Sequence, residues 1–481
     1  MTLTDFYPAL PEIFLLAMTC VVLLVDLFIP QRKHLLTYGL AQITLLMTLV
    51  CVVYLSLQPA TVIFNGAYIW DPVACILKIF ILGASFFAFI YARQYIAERD
   101  FAVGEYYMLG LFSVLGMLVL VSAYNFITIF LGLELLSLPL YALVALQRNA
   151  AKPAEAAMKY FVMGSLASAM LLYGLSMLYG ATGTLNIGAF AKAVAIMPLP
   201  QQLILVFGLV FVMAGIAFKW GAAPFHLWVP DVYQGAPTSV TLLVGSAPKI
   251  AAFGMAVRLL MDALPSLALQ WHEILVVIAV LSIALGNIVA IVQTNLKRML
   301  AYSAIAHMGY MSLGLLTVTR DGYAASLFYM VNYAVMSLGA FAVLVALSRA
   351  GVEAEQISDL RGLNARNPWL AFMMLLIMFS MAGIPPLVGF FAKLGVLEAL
   401  IRVHMVWLAV LALVFAIIGA YYYLTVVKVM YFEEPDNRAP IMNGLDMRIA
   451  ISVNGLIILF LGLFPSTLIE MCRTAFFVAG S

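Results

Sequence analysis

Apolar runs of about twenty residues follow one another along this chain, with few charges between them. Fourteen can be read: 10–30, 36–57, 73–96, 104–122, 124–147, 155–181, 202–229, 236–262, 271–292, 298–318, 323–349, 369–402, 405–431 and 448–471. A helix of about 20 apolar residues crosses the hydrocarbon core of a bilayer. Only 10% of the 481 residues are charged and 65% are hydrophobic, whereas a soluble domain carries about 25% charge. Such a chain must be solvated by lipid. Its runs are continuous, not alternating, which excludes a transmembrane barrel. The expected fold is an all-α polytopic membrane protein of about 14 transmembrane helices.

An even number of spans puts both termini on one side. Basic residues choose the side, because they are retained in cytoplasmic loops. One alternate set of loops holds Arg32, Lys33, Arg93, Arg99, Arg148, Lys152, Lys297, Arg298, Arg349, Arg361, Arg366, Lys428, Arg438 and Arg448, which is 14 of the 24 basic residues. The other set, with both termini, holds Lys192, Arg258, Arg320, Arg402 and Arg473. Both termini are therefore expected outside the cytoplasm. The N-terminus does not read as a cleavable signal: its first charge is Asp5 and its first basic residue is Arg32, beyond the first span.

The composition also limits the chemistry. A net charge of +2 offers no basic surface for nucleic acid. Cys20, Cys51, Cys75 and Cys472 are scattered without a CxxC pair, so no cluster or zinc site is expected. No glycine-rich nucleotide loop or haem-attachment motif is present. The chain should hold no cofactor of its own.

Two spans are too long and contain helix breakers. Span seven runs Phe218-Lys219-Trp220-Gly221-Ala222-Ala223-Pro224, and span twelve runs Met381-Ala382-Gly383-Ile384-Pro385-Pro386. Proline removes a backbone donor and clashes with the preceding turn, so each helix should open there. Met213-Ala214-Gly215-Ile216 recurs as Met381-Ala382-Gly383-Ile384, an offset of 168 that also carries spans five to seven onto ten to twelve. The expected organisation is an N-terminal three-helix segment (1–103), a five-helix repeat (104–262), a second repeat (263–431) and a C-terminal helix (432–481). An odd number of spans inverts the second copy. Inverted repeats, each with one broken helix, are the architecture of ion and solute translocators.

Charges inside the spans carry the functional reading. A charge at mid-bilayer costs about 2.5–3.5 kcal/mol on insertion scales, so it persists where it is paired, hydrated or used. Glu134 in span five, Lys159 in span six, Lys219 at the first break, Lys249 in span eight and Lys393 after the second break form a candidate proton relay. Burial lowers a lysine's proton affinity and a nearby carboxylate restores it. Moving Glu134 relative to Lys159 would shift that balance. His226 and His307 are secondary candidates, because a lone histidine is as readily a packing residue. Lys78 lies near the outer end of its span and is expected to snorkel to the interface. Glu398 takes the same bland reading, near the outer end of span twelve. Ser303 and His307 stand one turn apart without a carboxylate to orient the histidine, so hydrolase chemistry is discarded. Asp231 is expected to cap helix eight.

At this point the residues resemble a known family. The run Lys219-Trp220-Gly221-Ala222-Ala223-Pro224-Phe225-His226-Leu227-Trp228-Val229-Pro230-Asp231-Val232-Tyr233-Gln234-Gly235-Ala236-Pro237 and the run from Gln293-Thr294-Asn295-Leu296-Lys297-Arg298 to Ala306-His307-Met308-Gly309-Tyr310 are similar to the signatures of the antiporter-like subunits of respiratory complex I. The resemblance covers essentially the whole chain. It implies a proton channel in a bacterial inner membrane, in a complex that passes electrons from NADH to quinone. Flavin, iron–sulfur clusters and quinone would sit on other subunits, and the partners would be further membrane subunits, including related antiporter-like ones, with lipid. It implies that Glu134 and Lys159 form a charge pair, that Lys219 and Lys249 are channel lysines, and that Lys393 connects to the periplasmic side. Lys393 in span twelve, the form Asp231-Val232-Tyr233-Gln234-Gly235-Ala236-Pro237, and a chain that stops after span fourteen favour one branch of the family. The alternatives are a multisubunit cation/proton antiporter and a membrane-bound hydrogenase. A purely structural subunit is disfavoured by the cost of its buried lysines.

Overall fold

The computed structural model describes residues 3–28, 35–99, 103–147, 149–197, 199–348, 353–435, 441 and 444–478. Arg32, Lys33, Arg148, Arg349 and Arg438 of the loop count lie outside the described residues. Apart from one short hairpin, β1 (Thr61–Ile63) and β2 (Tyr68–Trp70), the regular structure described is helical.

Helices α1 (Leu10–Phe28), α2 (Leu35–Leu55) and α3 (Pro72–Ala97) form the first segment. Helices α4 (Val103–Ser122), α5 (Phe126–Val144) and α6 (Ala151–Thr182) follow, and then a short α7 (Ile187–Ala195). Span seven is split into α8 (Leu199–Trp220) and α9 (Trp228–Gly235). Span eight is α10 (Thr238–Val244) and α11 (Ala247–Ala256), continued by a π-helical turn Val257–Ala263. Then come α12 (Ala268–Ile291), α13 (Leu296–Leu315), α14 (Arg320–Leu347) and a one-turn α15 (Leu363–Arg366). Span twelve is split into α16 (Pro368–Ala382) and α17 (Val388–Arg402). The chain closes with α18 (Val406–Phe432), α19 (Leu445–Leu463) and α20 (Ser466–Val478).

Among the described residues, twelve helices are long and apolar enough to cross a membrane. The other two of the fourteen expected spans exist as helices but fall outside that set. One is α13, which carries Lys297, Arg298 and His307; the other is the broken pair α16 and α17, of 15 residues each. The expected last span, 448–471, ends earlier, at Leu463, and α20 packs separately beside α14. The face at which α1 begins is the outer face below. Nearly every residue of α10, α11 and α14 is buried, so these helices form the centre of the bundle. By contrast fewer than four in ten residues of α1, α2 and α18 are buried, so these helices lie at the periphery.

Helix starts follow side-chain capping. Asp71, Asn125, Asn295, Thr319 and Asn367 each accept a backbone N–H of the first turn, which satisfies one of the free donors at a helix start. Two of these caps recur in a revealing way. Asn125 bridges Asn186 on the outer face, and Asn295 bridges Gln356 on the inner face, an offset of 170. The two breaks repeat at a different offset: Gly221 and Gly383 both have positive φ, and Ala223-Pro224 and Pro385-Pro386 are both cis, an offset of 162. The Met-Ala-Gly-Ile match at an offset of 168 therefore does not align the two breaks. Gly215 sits inside α8 against Leu171, whereas its supposed equivalent Gly383 ends α16 in the left-handed region.

Candidate functional site

The two breaks expose carbonyls at depth, and such groups must find partners. At the first break, Gly221 N–H donates to Phe218 O at 2.8 Å and Ala222 N–H to Ala217 O at 2.8 Å. Trp228 Nε1 reaches back to Phe218 O at 3.0 Å. The carbonyl of Trp220 receives the ammonium of Lys249. The second break follows the same logic. Gly383 N–H donates to Phe379 O and Ser380 O, and Lys393 Nζ donates to Met381 O at 3.1 Å and Ala382 O at 2.8 Å. In each case a lysine caps the negative end of a half-helix. Lys249 comes from the neighbouring span, Lys393 from the second half of the broken one.

Lys219 stands one residue before the end of α8 and donates to Ser137 Oγ at 2.6 Å; that hydroxyl in turn donates to Leu133 O. Glu134 lies on the same stretch of α5, within electrostatic reach of Lys219. Its Oε1 is buried without a protein partner. Lys219 lies within electrostatic reach of Lys249. From Lys249 a band of aromatic side chains leads on. Lys249 lies over Trp228 at 5.2 Å, Trp228 meets Tyr233, and Tyr233 faces Tyr333. The Tyr333 ring is 5.1 Å from His307. His307 is buried, with Nδ1 2.7 Å from Tyr329 Oη and Nε2 3.1 Å from Tyr423 Oη. Tyr310 packs on Tyr329 and lies 5.2 Å from Lys393 Nζ. The structure thus brings Glu134, Lys219, Lys249, His307 and Lys393 into one polar line across both halves of the protein. Tyr233 and Tyr310 stand in the two runs quoted above without an assigned role, and Tyr333, Tyr329 and Tyr423 carry no mark in the sequence. Tyrosine among 23 in an apolar chain carries no signal of its own; their facing hydroxyls arise only from helix packing.

Several expected roles change. Lys159 does not engage Glu134. Its Nζ lies 2.9 Å from Glu155, four residues earlier on α6, and 2.8 Å from Asp231. With 42% of its side chain exposed, it belongs to the inner surface. Asp231 does not cap span eight; it lies in the first turn of α9 between Lys159 and Arg298. Burial pushes the Asp231 carboxyl up, but hydrogen bonds from Lys159 and Arg298 outweigh it and hold the group below the usual carboxylate range. It stays ionised at neutral pH as a fixed clamp between α6, α9 and α13. His226 is half-buried in the first break, with Nδ1 unpartnered. Glu398 is exposed and lines an outer cavity with Asp321, Arg402 and Arg473.

Lys78 does not snorkel. It is fully buried, 2.5 Å from Glu12. Arg258, counted above among outer-loop charges, is also buried. It binds Asp71 through both terminal nitrogens, at 2.8 and 2.7 Å, and Asp262 at 2.9 Å. Glu12 and Asp71 are also buried carboxylates, each at the outer end of a helix and each held by a cation. Span eight is not continuous either. It is interrupted at Gly245-Ser246, just before Lys249, and the readable signal was Pro248, which starts α11. The cysteines are free, and among the described residues no group of three or more His, Cys, Asp or Glu side chains could hold a metal.

The glycines at the breaks are testable. A Cβ on Gly221 would lie 2.4 Å from Val229 Cγ2 and 3.0 Å from Lys249 Nζ, at a positive φ. Gly221→Ala is expected to cost about 1–2 kcal/mol from conformation alone and to push Lys249 off its carbonyl. A thermal shift of the purified protein in detergent, downward by several degrees, checks it; an unchanged midpoint would refute the tight packing at this break.

Two broken helices, each capped by a lysine inside a bundle of helices long and apolar enough to cross a membrane, define an antiporter-like membrane subunit. Residues 123–419 match the family described as NADH:quinone oxidoreductase/Mrp antiporter, TM. The chain is 58% identical over 479 residues to NADH-quinone oxidoreductase subunit N of Coxiella burnetii, covering 98% of this chain and 99% of that one. It is 51% identical to the subunit of the same name from Thioalkalivibrio sulfidiphilus, covering 98% of each. Among solved structures it is similar to a chain of respiratory complex I from Thermus thermophilus, at 32% identity and TM-score 0.82, over 96% of this chain and 98% of that one. It shares its fold with a chain of the Mrp complex from Dietzia, at 19% identity and TM-score 0.86, over 99% and 97%. The chain belongs to the NADH-quinone oxidoreductase subunit N family.

Proposed function

We propose that this chain is a proton-translocating membrane subunit of an NADH-quinone oxidoreductase, carrying no redox step itself. Other membrane subunits of the complex, related antiporter-like chains among them, are its partners. Flavin, iron–sulfur clusters and quinone belong to other chains. It resides in the bacterial inner membrane, with the outer face and both termini periplasmic. Its core is two inverted five-helix units, 104–262 and 263–431, between an N-terminal segment, 1–103, and a C-terminal one, 432–481.

The observation that carries this reading is the placing of Lys249 and Lys393 on the open carbonyls of the two breaks. A lysine there is held in position while remaining able to exchange its proton, because the carbonyl accepts a hydrogen bond from the charged or the neutral amine. Glu134 and Lys219 feed Lys249; the tyrosine and His307 band links Lys249 to Lys393; the outer cavity beside Glu398 lies on the same helix as Lys393. Lys159 with Asp231 guards the inner surface as a fixed charge pair.

The test combines location and transport. In mild detergent the chain should migrate with the NADH-oxidising complex on a native gel. In reconstituted vesicles, Glu134→Gln should lower the protons moved per NADH oxidised while the complex remains assembled. Migration apart from NADH oxidation would refute the assignment. Wild-type pumping by an assembled Glu134→Gln complex would refute the relay.

A further inference from the structure

The three-helix segment holds a buried polar seam that the relay does not use. At its outer end, Lys78 on α3 is fully buried. Its Nζ lies 2.5 Å from Glu12 at the start of α1 and donates to Tyr68 Oη at 2.8 Å. Tyr68 also reaches the second Glu12 oxygen at 3.1 Å and the Pro8 carbonyl at 3.0 Å. Trp70 covers the ammonium at 4.7 Å. The pair therefore sits under the hairpin, with Lys78 fully buried and 9% of the Glu12 side chain still exposed.

Inward from the pair the polar groups continue. The buried stripe of α2 includes Thr37, Gln42, Thr44 and Thr48. Thr48 and Thr44 donate to carbonyls one turn earlier, which leaves each hydroxyl oxygen able to accept. Ser85 stands two turns past Lys78 on α3, about 10 Å along the axis. Its hydroxyl is buried with no protein partner. At the same level Gln42 donates to Phe86 O, and its carbonyl oxygen is likewise buried and unpartnered. Buried polar atoms of this kind are the ones that internal water typically satisfies in proteins. Gln42 is in hydrogen-bond reach of Tyr38. Tyr38 lies under Arg93, and Arg93 pairs with Asp446 at 2.9 Å on the inner face. Thr37 binds Asp26 at 2.7 Å at the same end.

We propose that this seam is a second proton lane, separate from the relay, with the Glu12–Lys78 pair as its protonatable gate. The inference rests on the proton-translocating reading above. Proton transfer from the Lys78 ammonium to the Glu12 carboxylate leaves a neutral amine and a neutral carboxylic acid. The acid then releases its proton toward the outer face past Tyr68. The amine takes a proton delivered as hydronium from the inner side by water held along the Ser85–Gln42 stretch, one proton entering for the one released, and the ion pair is restored. Net charge at the pair is unchanged throughout the internal step, so the step avoids leaving an isolated buried charge. A buried ion pair by itself gains little stability over an apolar pair of similar size, so anchoring α1 is a weak reason to keep one.

The experiment uses the assembled complex in vesicles and reads protons moved per NADH oxidised. Removing one charge alone strands the other, so the pair is removed together, as the double variant Glu12→Gln with Lys78→Met. Gln42→Leu and Ser85→Ala interrupt the seam and leave the pair intact. Glu134→Gln is measured alongside. A lane predicts a reduced proton-to-NADH ratio in the double variant and in Gln42→Leu, with NADH oxidation retained. A wild-type ratio in the double variant overturns the proposal. So does a reduced ratio there with wild-type ratios in Gln42→Leu and Ser85→Ala, which makes the pair an anchor only. If Glu134→Gln also pumps normally, the reading of the whole subunit as a translocator fails instead.

Discussion

Arg258→Ala is expected to destabilise this protein by about 3–5 kcal/mol, the cost of breaking a buried ion pair from one side. The guanidinium is 2% exposed and serves three elements at once. It binds the Asp71 cap of α3, the neighbouring Asp262, and the Val121 carbonyl at the end of α4, at 3.1 Å. Alanine would leave two carboxylates and a carbonyl facing a cavity. The loss falls on the joint between α3, α4 and the π-helical turn Val257–Ala263. The steady-state amount of the chain in membranes, and the thermal midpoint of the purified complex, should both drop. Arg258→Lys keeps the charge but loses the two-nitrogen grip on Asp71, so it should fall between. Wild-type abundance and midpoint in Arg258→Ala would show that this cluster carries no structural load.

Lys249→Met should do the opposite: spare the fold and abolish this subunit's share of proton transport. Removing an ammonium from mid-membrane relieves about 2.5–3.5 kcal/mol. The Trp220 carbonyl then loses its donor, at about 1–3 kcal/mol. The two nearly cancel, and methionine fills much of the same volume, so assembly is expected to persist. Transport has no such compensation. Lys249 is the group between Lys219 and the Trp228–Tyr233 band, and a thioether carries no proton. The measurement is protons moved per NADH oxidised in vesicles. An assembled Lys249→Met complex with the wild-type ratio would remove Lys249 from the path.

Much of this was legible before any coordinates. Glu134, Lys219, Lys249 and Lys393 stand out because a charge in an apolar run has a cost that the neighbouring residues cannot hide. The breaks were legible because glycine and proline act on their own backbone. Lys78 and Lys159 depart from the sequence expectation for one reason. Depth along a span is readable, but the direction in which a side chain leaves the helix is not. Lys78 turns toward Glu12 from another helix, and Lys159 toward Asp231 from a third.

The sequence by itself determined that the chain lives in lipid, that it is helical, where two of its helices must open, and which charges are too costly to be idle. These follow from local chemistry: transfer free energy, proline sterics, and the spacing of apolar runs. Only the tertiary structure decided which carbonyl each lysine caps, which tyrosines join Lys249 to Lys393, and that Glu12, Asp71 and Arg258 are buried. Those contacts link residues from 11 positions apart (Lys393 and Ala382) to 187 (Arg258 and Asp71). Their energies depend on how helices pack, and no local pattern encodes that.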